Sequence, residues 1–142
     1  MRAPTLALTA LSLAAAAGTS IACGSPSVTI TEPLGVVNWS PHDGATGIEV
    51  DWVVSVCLTR PLDAETLGNA TLRVDDGNGA PGGDAVAKTA TLTEADPACL
   101  EFSKEPLLDP GTTYHIVLGP DLAAEDGMTL GRTLSSQFTT AP

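Results

Sequence analysis

From Gly35 onward the chain is a succession of short alternating apolar runs, each cut by Gly, Pro, Asn or Asp at spacings of roughly ten residues. That rhythm leaves little room for helices: no long stretch repeats an apolar residue at the 3.6-residue period, which argues against an α/β layout. The spacing predicts strands at 36–40, 49–59, 70–75, 85–93, 99–103, 113–118 and 134–140. The turns predicted between them fall at 41–44, 61–63, 75–83, 96–97, 109–111 and 119–132, each holding residues that accept φ > 0 or fix φ near −65°. One helical turn is expected at 63–67, with Asp63 as its cap. The fourteen Gly and eleven Pro supply the turns, and 43% hydrophobic residues supply enough apolar surface for a core, so the chain is not a disordered one.

Side-chain parity assigns the faces. Trp52, Val54, Val56 and Leu58 share one side of the second strand and are expected to face the core, with Val53, Ser55 and Cys57 opposite. Tyr114, Ile116 and Leu118 should point inward, leaving His115 and Val117 outside; Phe102 and Phe138 should complete the core with Leu100, Leu72 and Val74. Trp39 and Trp52 read as packing residues rather than ligand-stacking aromatics.

Residues 1–22 differ from the rest in composition. They hold Arg2, no acidic residue, and a run rich in Leu and Ala from Leu6 to Ala17, too short for a stable membrane span and followed by small residues, as in an export signal. The sequence Ser20-Ile21-Ala22-Cys23 then resembles a bacterial lipobox, although Ser20 stands where Leu is usual. The resemblance implies a lipoprotein signal peptide over 1–22, lipidation of Cys23 (a palmitate-type anchor) and a short Ser/Pro/Thr-rich tether over 23–34. Plain cleavage after Ala22 is the other reading.

Three cysteines in an exported chain leave one thiol over. With Cys23 taken by lipid, Cys57 and Cys99 remain and are expected to form a disulfide bond, two buried free thiols being the alternative.

The segments Trp39-Ser-Pro-His-Asp-Gly-Ala-Thr-Gly-Ile-Glu-Val-Asp51, Leu58-Thr-Arg-Pro-Leu-Asp63, Phe102-Ser-Lys-Glu-Pro-Leu-Leu-Asp-Pro-Gly-Thr-Thr-Tyr114 and Ser136-Gln-Phe-Thr-Thr140 stand in order along the chain. Together they resemble the bacterial Ig-like domain of the S-layer SbsA type. The resemblance covers about 36–140, within a domain expected over 35–142, and implies an all-β, Ig-like antiparallel β-sandwich of about seven strands. Within it Tyr114 would make a tyrosine corner, its ring buried and its hydroxyl bonded to upstream backbone. The strands carrying Cys57 and Cys99 would be adjacent, placing the bridge on an outer face rather than between the sheets.

Six Lys and Arg against seventeen Asp and Glu give a net charge of −11, which excludes a nucleic-acid partner, because phosphate neutralisation needs clustered cations. The sequence holds no G-x-S-x-G elbow, H-E-x-x-H pair, C-x-x-C motif or P-loop, and its two histidines, His42 and His115, are far apart. The expectation is therefore a protein that is not an enzyme, needs no cofactor, and presents no catalytic or metal residue. It would be a lipoprotein of the cell envelope, held to a membrane through Cys23, with a structural role or a docking role toward another envelope protein through a sheet edge or an end loop. The alternative is a Ca²⁺ or small-ligand binder using its acidic loops, Asp75, Asp76, Asn78 and Asp84 in one and Asp121, Glu125 and Asp126 in the other, although neither has EF-hand spacing.

Overall fold

The computed structural model describes residues 32–142; the export signal, Cys23 and most of the expected tether lie outside the described residues. Nine strands form two sheets: β1 (Val36–Ser40), β2 (Ala45–Ile48), β3 (Ser55–Leu58), β4 (Ala70–Asp75), β5 (Pro81–Ala85), β6 (Ala90–Leu92), β7 (Cys99–Phe102), β8 (Thr113–Leu118) and β9 (Leu134–Thr140). One sheet has the order β1-β3-β7-β6 and the other β2-β9-β8-β4-β5. The inner faces meet over Val54, Val56, Leu58, Leu72, Leu100, Phe102, Tyr114, Ile116, Leu118 and Phe138, all buried, so an Ig-like β-sandwich is the architecture. Tyr114 and Phe138 stack with ring centroids 5.6 Å apart, uniting two of the few aromatics.

The expected and observed bounds coincide for β1, β4, β8 and β9. Nine strands replace the expected seven because two stretches behave differently. After the turn at 41–44 the chain crosses to the second sheet and pairs as β2 with β9, in parallel rather than antiparallel sense. Gly44 N donates to Gln137 O at 2.7 Å and fixes that crossing. The other extra strand, β5, forms mainly from Pro81–Gly83, inside the turn expected over 75–83, and takes only Ala85 from the strand expected over 85–93; Val86 N still bonds Leu72 O, and the chain then crosses to pair as β6 with β7.

Two expected core residues are corrected. β3 begins only at Ser55, so Trp52 lies in the preceding turn, where its backbone N bonds Glu49 O, and its side chain is 42% exposed. Val74 has inward parity opposite Tyr114 but sits at the open end of β4 and is 39% exposed. The helical turn is a 3-10 helix, Ala64–Asn69, whose cap Asp63 accepts from Glu65 N. Among the described residues no helix is long and apolar enough to cross a membrane.

The strands define two poles. At one lie residues 32–35, 59–63, 96–98 and 119–126, tied by Thr59 N to Gly35 O, Leu62 N to Pro97 O and Glu125 N to Pro61 O. At the other lie 48–54, 103–112 and the C-terminus, tied by Leu108 N to Val50 O, Ala141 N to Ile48 O and Gly111 N to Ala141 O. The length of β8 separates them by roughly 17–20 Å.

Candidate functional site

His115 is the one histidine drawn into the structure. Parity puts it on the outer face of its sheet, as expected, but it is not outside: only 4% of it is exposed. The turn after β4 and the turn carrying Asp43 roof this part of the face. His115 Nε2 and Asp75 Oδ1 lie 2.7 Å apart. The other carboxylate oxygen of Asp75 accepts from Gly77 N at 2.8 Å and Gly79 N at 3.4 Å. The His115 hydrogen bond, opposed by desolvation and helped by those two backbone donors, holds the Asp75 carboxyl below its ordinary value. With Asp75 ionised, Nε2 carries the proton and donates, and the pair fastens β8 to the β4–β5 hairpin.

Beside the pair is a hollow of about 260 Å³ lined by His115, Asp43, Gly79, Pro81, Ser135 and Gln137, among others. Ser135, on the same outer face as His115, is exposed, while Ser136 has the inward parity of Phe138 and its Oγ donates to Asp43 Oδ1 at 3.3 Å. That same oxygen accepts from Gln137 N at 3.0 Å, which locks the Asp43 turn onto β9. The histidine–aspartate pair joins β8 to the turn that follows β4.

The acidic loops do not converge. Asp75 and Asp76 turn their carboxylates onto the amides of their own loop, Asp76 Oδ1 accepting from Asn78 N and Ala80 N. Asp84 is exposed on β5. In the other loop Asp126 accepts from Arg60 Nη1 at 2.7 Å and from Met128 N at 3.0 Å, while Asp121 and Glu125 are exposed. Among the described residues no group of three or more His, Cys, Asp or Glu side chains is placed to hold a metal ion. His42 is exposed in the turn after β1.

Two features secure the β1 side of the molecule. Cys57 and Cys99 face each other directly across β3 and β7 and are joined in a disulfide. Arg60 grips the incoming chain: its Nε and Nη2 donate to Glu32 O at 3.2 and 2.8 Å, and its Nη1 binds Asp126. Gly35 N donates to Thr59 Oγ1, which in turn donates to Pro33 O, and Leu34 is buried in the core. The sequence carries Thr59 and Arg60 only as part of the 58–63 motif, because a backbone partner leaves no residue-type signal.

Two sheets with this strand order, a tyrosine corner at Tyr114 and an outer-face cross-strand disulfide define a small Ig-like sandwich module. The bacterial Ig-like domain family matches residues 30–140, and the chain belongs to it. Among solved structures it is similar to CopC from Methylosinus trichosporium OB3b, with 17% identity, 77% of this chain and 94% of that one covered, and a TM-score of 0.56. It is similar also to the copper resistance protein PcoC from Escherichia coli, at 18% identity, covering 75% and 98% of the two chains, with a TM-score of 0.57. The N-terminal part of the bacterial S-layer protein SbsC gives 18% identity over 77% of this chain and 24% of that one, with a TM-score of 0.52. At these identities the likeness is one of fold. No curated protein matches the chain.

Proposed function

We propose that this chain is a non-catalytic Ig-like module of the bacterial cell envelope, exported by residues 1–22, held to a membrane by lipid on Cys23, and serving a structural or protein-docking accessory role there. The observation that carries this reading is the seating of residues 32–35. Arg60, Thr59 and the buried Leu34 take hold of the chain at one pole, so the stretch between Cys23 and Glu32 joins a rigid body at a defined point. A tether of that length extends at most about 3.3–3.6 Å per residue and keeps the domain within reach of the membrane. An anionic body is repelled by anionic headgroups and stands off from them. The folds of CopC, PcoC and SbsC support an extracytoplasmic setting. The Ca²⁺ alternative draws no support from the acidic loops, whose best-placed carboxylates already accept loop amides or Arg60.

The test is metabolic labelling of the full chain with a radioactive fatty acid in a bacterial host, followed by membrane fractionation. The wild type should carry label and pellet with membranes, and Cys23→Ala should lose both properties. An unlabelled wild type released in soluble form overturns the anchoring.

A further inference from the structure

Three of the large apolar side chains left exposed among the described residues fall on two adjoining segments of the pole opposite Glu32. Trp52 is 42% exposed, Val53 40% and Leu107 47%. Their segments run side by side: Phe102 N donates to Val54 O at 2.9 Å, Leu108 N to Val50 O at 2.9 Å, and Lys104 Nζ reaches Asp51 Oδ2 at 3.5 Å. Exposed Glu49, Asp51, Glu105 and Asp109 stand among them. The positive charge nearby is committed, Lys104 to Asp51 and Lys88 Nζ to the carbonyls of Ser103 and Lys104. Four carboxylates against two ammonium groups, one of them paired with Asp51, leave these exposed apolar side chains beside a surplus of negative charge, an acidic rim.

The sheet edges, by contrast, are guarded. β1 carries an irregularity at Val37, β6 is three residues long, β2 is short and shifts register, and β5 opens on Pro81 and shifts register against β4. These features discourage strand addition.

Resting on the reading of the chain as an anchored accessory module, we infer that the tip formed by Trp52, Val53 and Leu107 docks on another envelope protein, in an apolar cleft rimmed by Lys or Arg. Charge selects this occupant. A second copy of the chain would set acidic rim against acidic rim, and an anionic lipid surface would be repelled by the same carboxylates. The tip lies at the pole opposite the grip of Arg60 on Glu32.

The test is site-specific photocrosslinking of the full chain in its native envelope, with benzoylphenylalanine at position 52 or 107, and at exposed Thr91 and Glu94 as controls. Each variant is first checked for an unchanged melting temperature. One heteromeric adduct is expected from 52 and 107 and none from the controls. Adding Glu49→Lys, or raising NaCl to about 0.5 M, should lower its yield by about five-fold. Peptide mapping should place Lys or Arg beside the crosslinked apolar site. No adduct from 52 and 107, equal adducts from the controls, an adduct between two copies, or a yield indifferent to Glu49→Lys each overturns the docking tip. The anchoring is read separately by Cys23→Ala: wild-type chain found unlipidated but still crosslinking at the tip refutes the anchor alone, whereas lipidated chain without tip adducts refutes the docking alone.

Discussion

At Tyr114 one hydroxyl holds a turn to a strand. Asp109 N donates to it at 2.8 Å while the ring packs on Phe138, and burial raises the phenol above its ordinary pKa. Tyr114→Phe keeps the ring and removes the acceptor, so a loss of about 1 kcal/mol is expected, read as a lower urea midpoint at unchanged slope. The Asp75–His115 pair adds a pH dependence whose sign is fixed. The Asp75 carboxyl is held below 3.8 in the folded chain, chiefly by His115. Its stabilising effect is therefore complete above the unfolded value and is lost as pH falls through the lower folded value. The gap in melting temperature between wild type and Asp75→Asn should be wide near neutrality and close as the pH drops below that of an ordinary carboxylate. A gap independent of pH would contradict the pairing. His115 shows how far a site can be read from sequence. Alternation names the face a residue takes, but what roofs that face is set by turns about 40 and 70 residues away, and no local pattern records their arrival.

Among the elements, β4, β8 and β9 are legible because each alternates for six or seven residues between strong turn signals, whereas β1, with an irregularity at Val37, is bounded by the Pro41 turn that ends it. β2 is hidden, since Ala45-Thr-Gly-Ile48 lies in a Gly-rich stretch that reads as turn, and its partner β9 is remote in sequence. The 85–93 stretch reads as one strand because alternation is blind to a change of sheet. Parity of a different kind succeeds for β3 and β7. Once Leu100 and Phe102 face inward, Cys99 must take the side that Cys57 takes, and the two strands are neighbours in exact register. The bond closes a loop with a sequence separation of 42. Chain-entropy arguments set its contribution at no more than roughly 4 kcal/mol. The Cys57→Ala/Cys99→Ala double variant should accordingly unfold at lower denaturant, with a loss of up to that size and no change in the folded far-UV spectrum. Equal stability with and without the bond would mean that the β3–β7 pairing is self-sufficient.

For the whole molecule the decisive quantity is the imbalance of seventeen acidic against six basic residues. Attractive pairs among the described residues are few: Arg60–Asp126, Lys104–Asp51 and the histidine pair His115–Asp75. The first two are partly or largely exposed, and such pairs contribute little. The remaining carboxylates sit mainly in turns at both poles and around the rim, where they repel one another more closely in the folded domain than in the extended chain. Moderate salt screens both kinds of interaction over a Debye length of about 8 to 10 Å. Because the repulsions outnumber the attractions, screening should help the fold: the melting temperature at neutral pH is expected to rise steadily from about 10 to 300 mM NaCl. The rise should shrink as the solution is acidified and the carboxylates become neutral, since the repulsion then disappears without salt. A melting temperature that falls with NaCl at neutral pH would show that attractive pairs dominate the charge balance. Neutral Asn and Gln could then not replace the rim carboxylates Glu49, Asp51, Glu105 and Asp109 without loss of stability. If the rise is observed, those carboxylates weaken the isolated fold, and their place around exposed Trp52, Val53 and Leu107 is better accounted for by what they face than by what they stabilise.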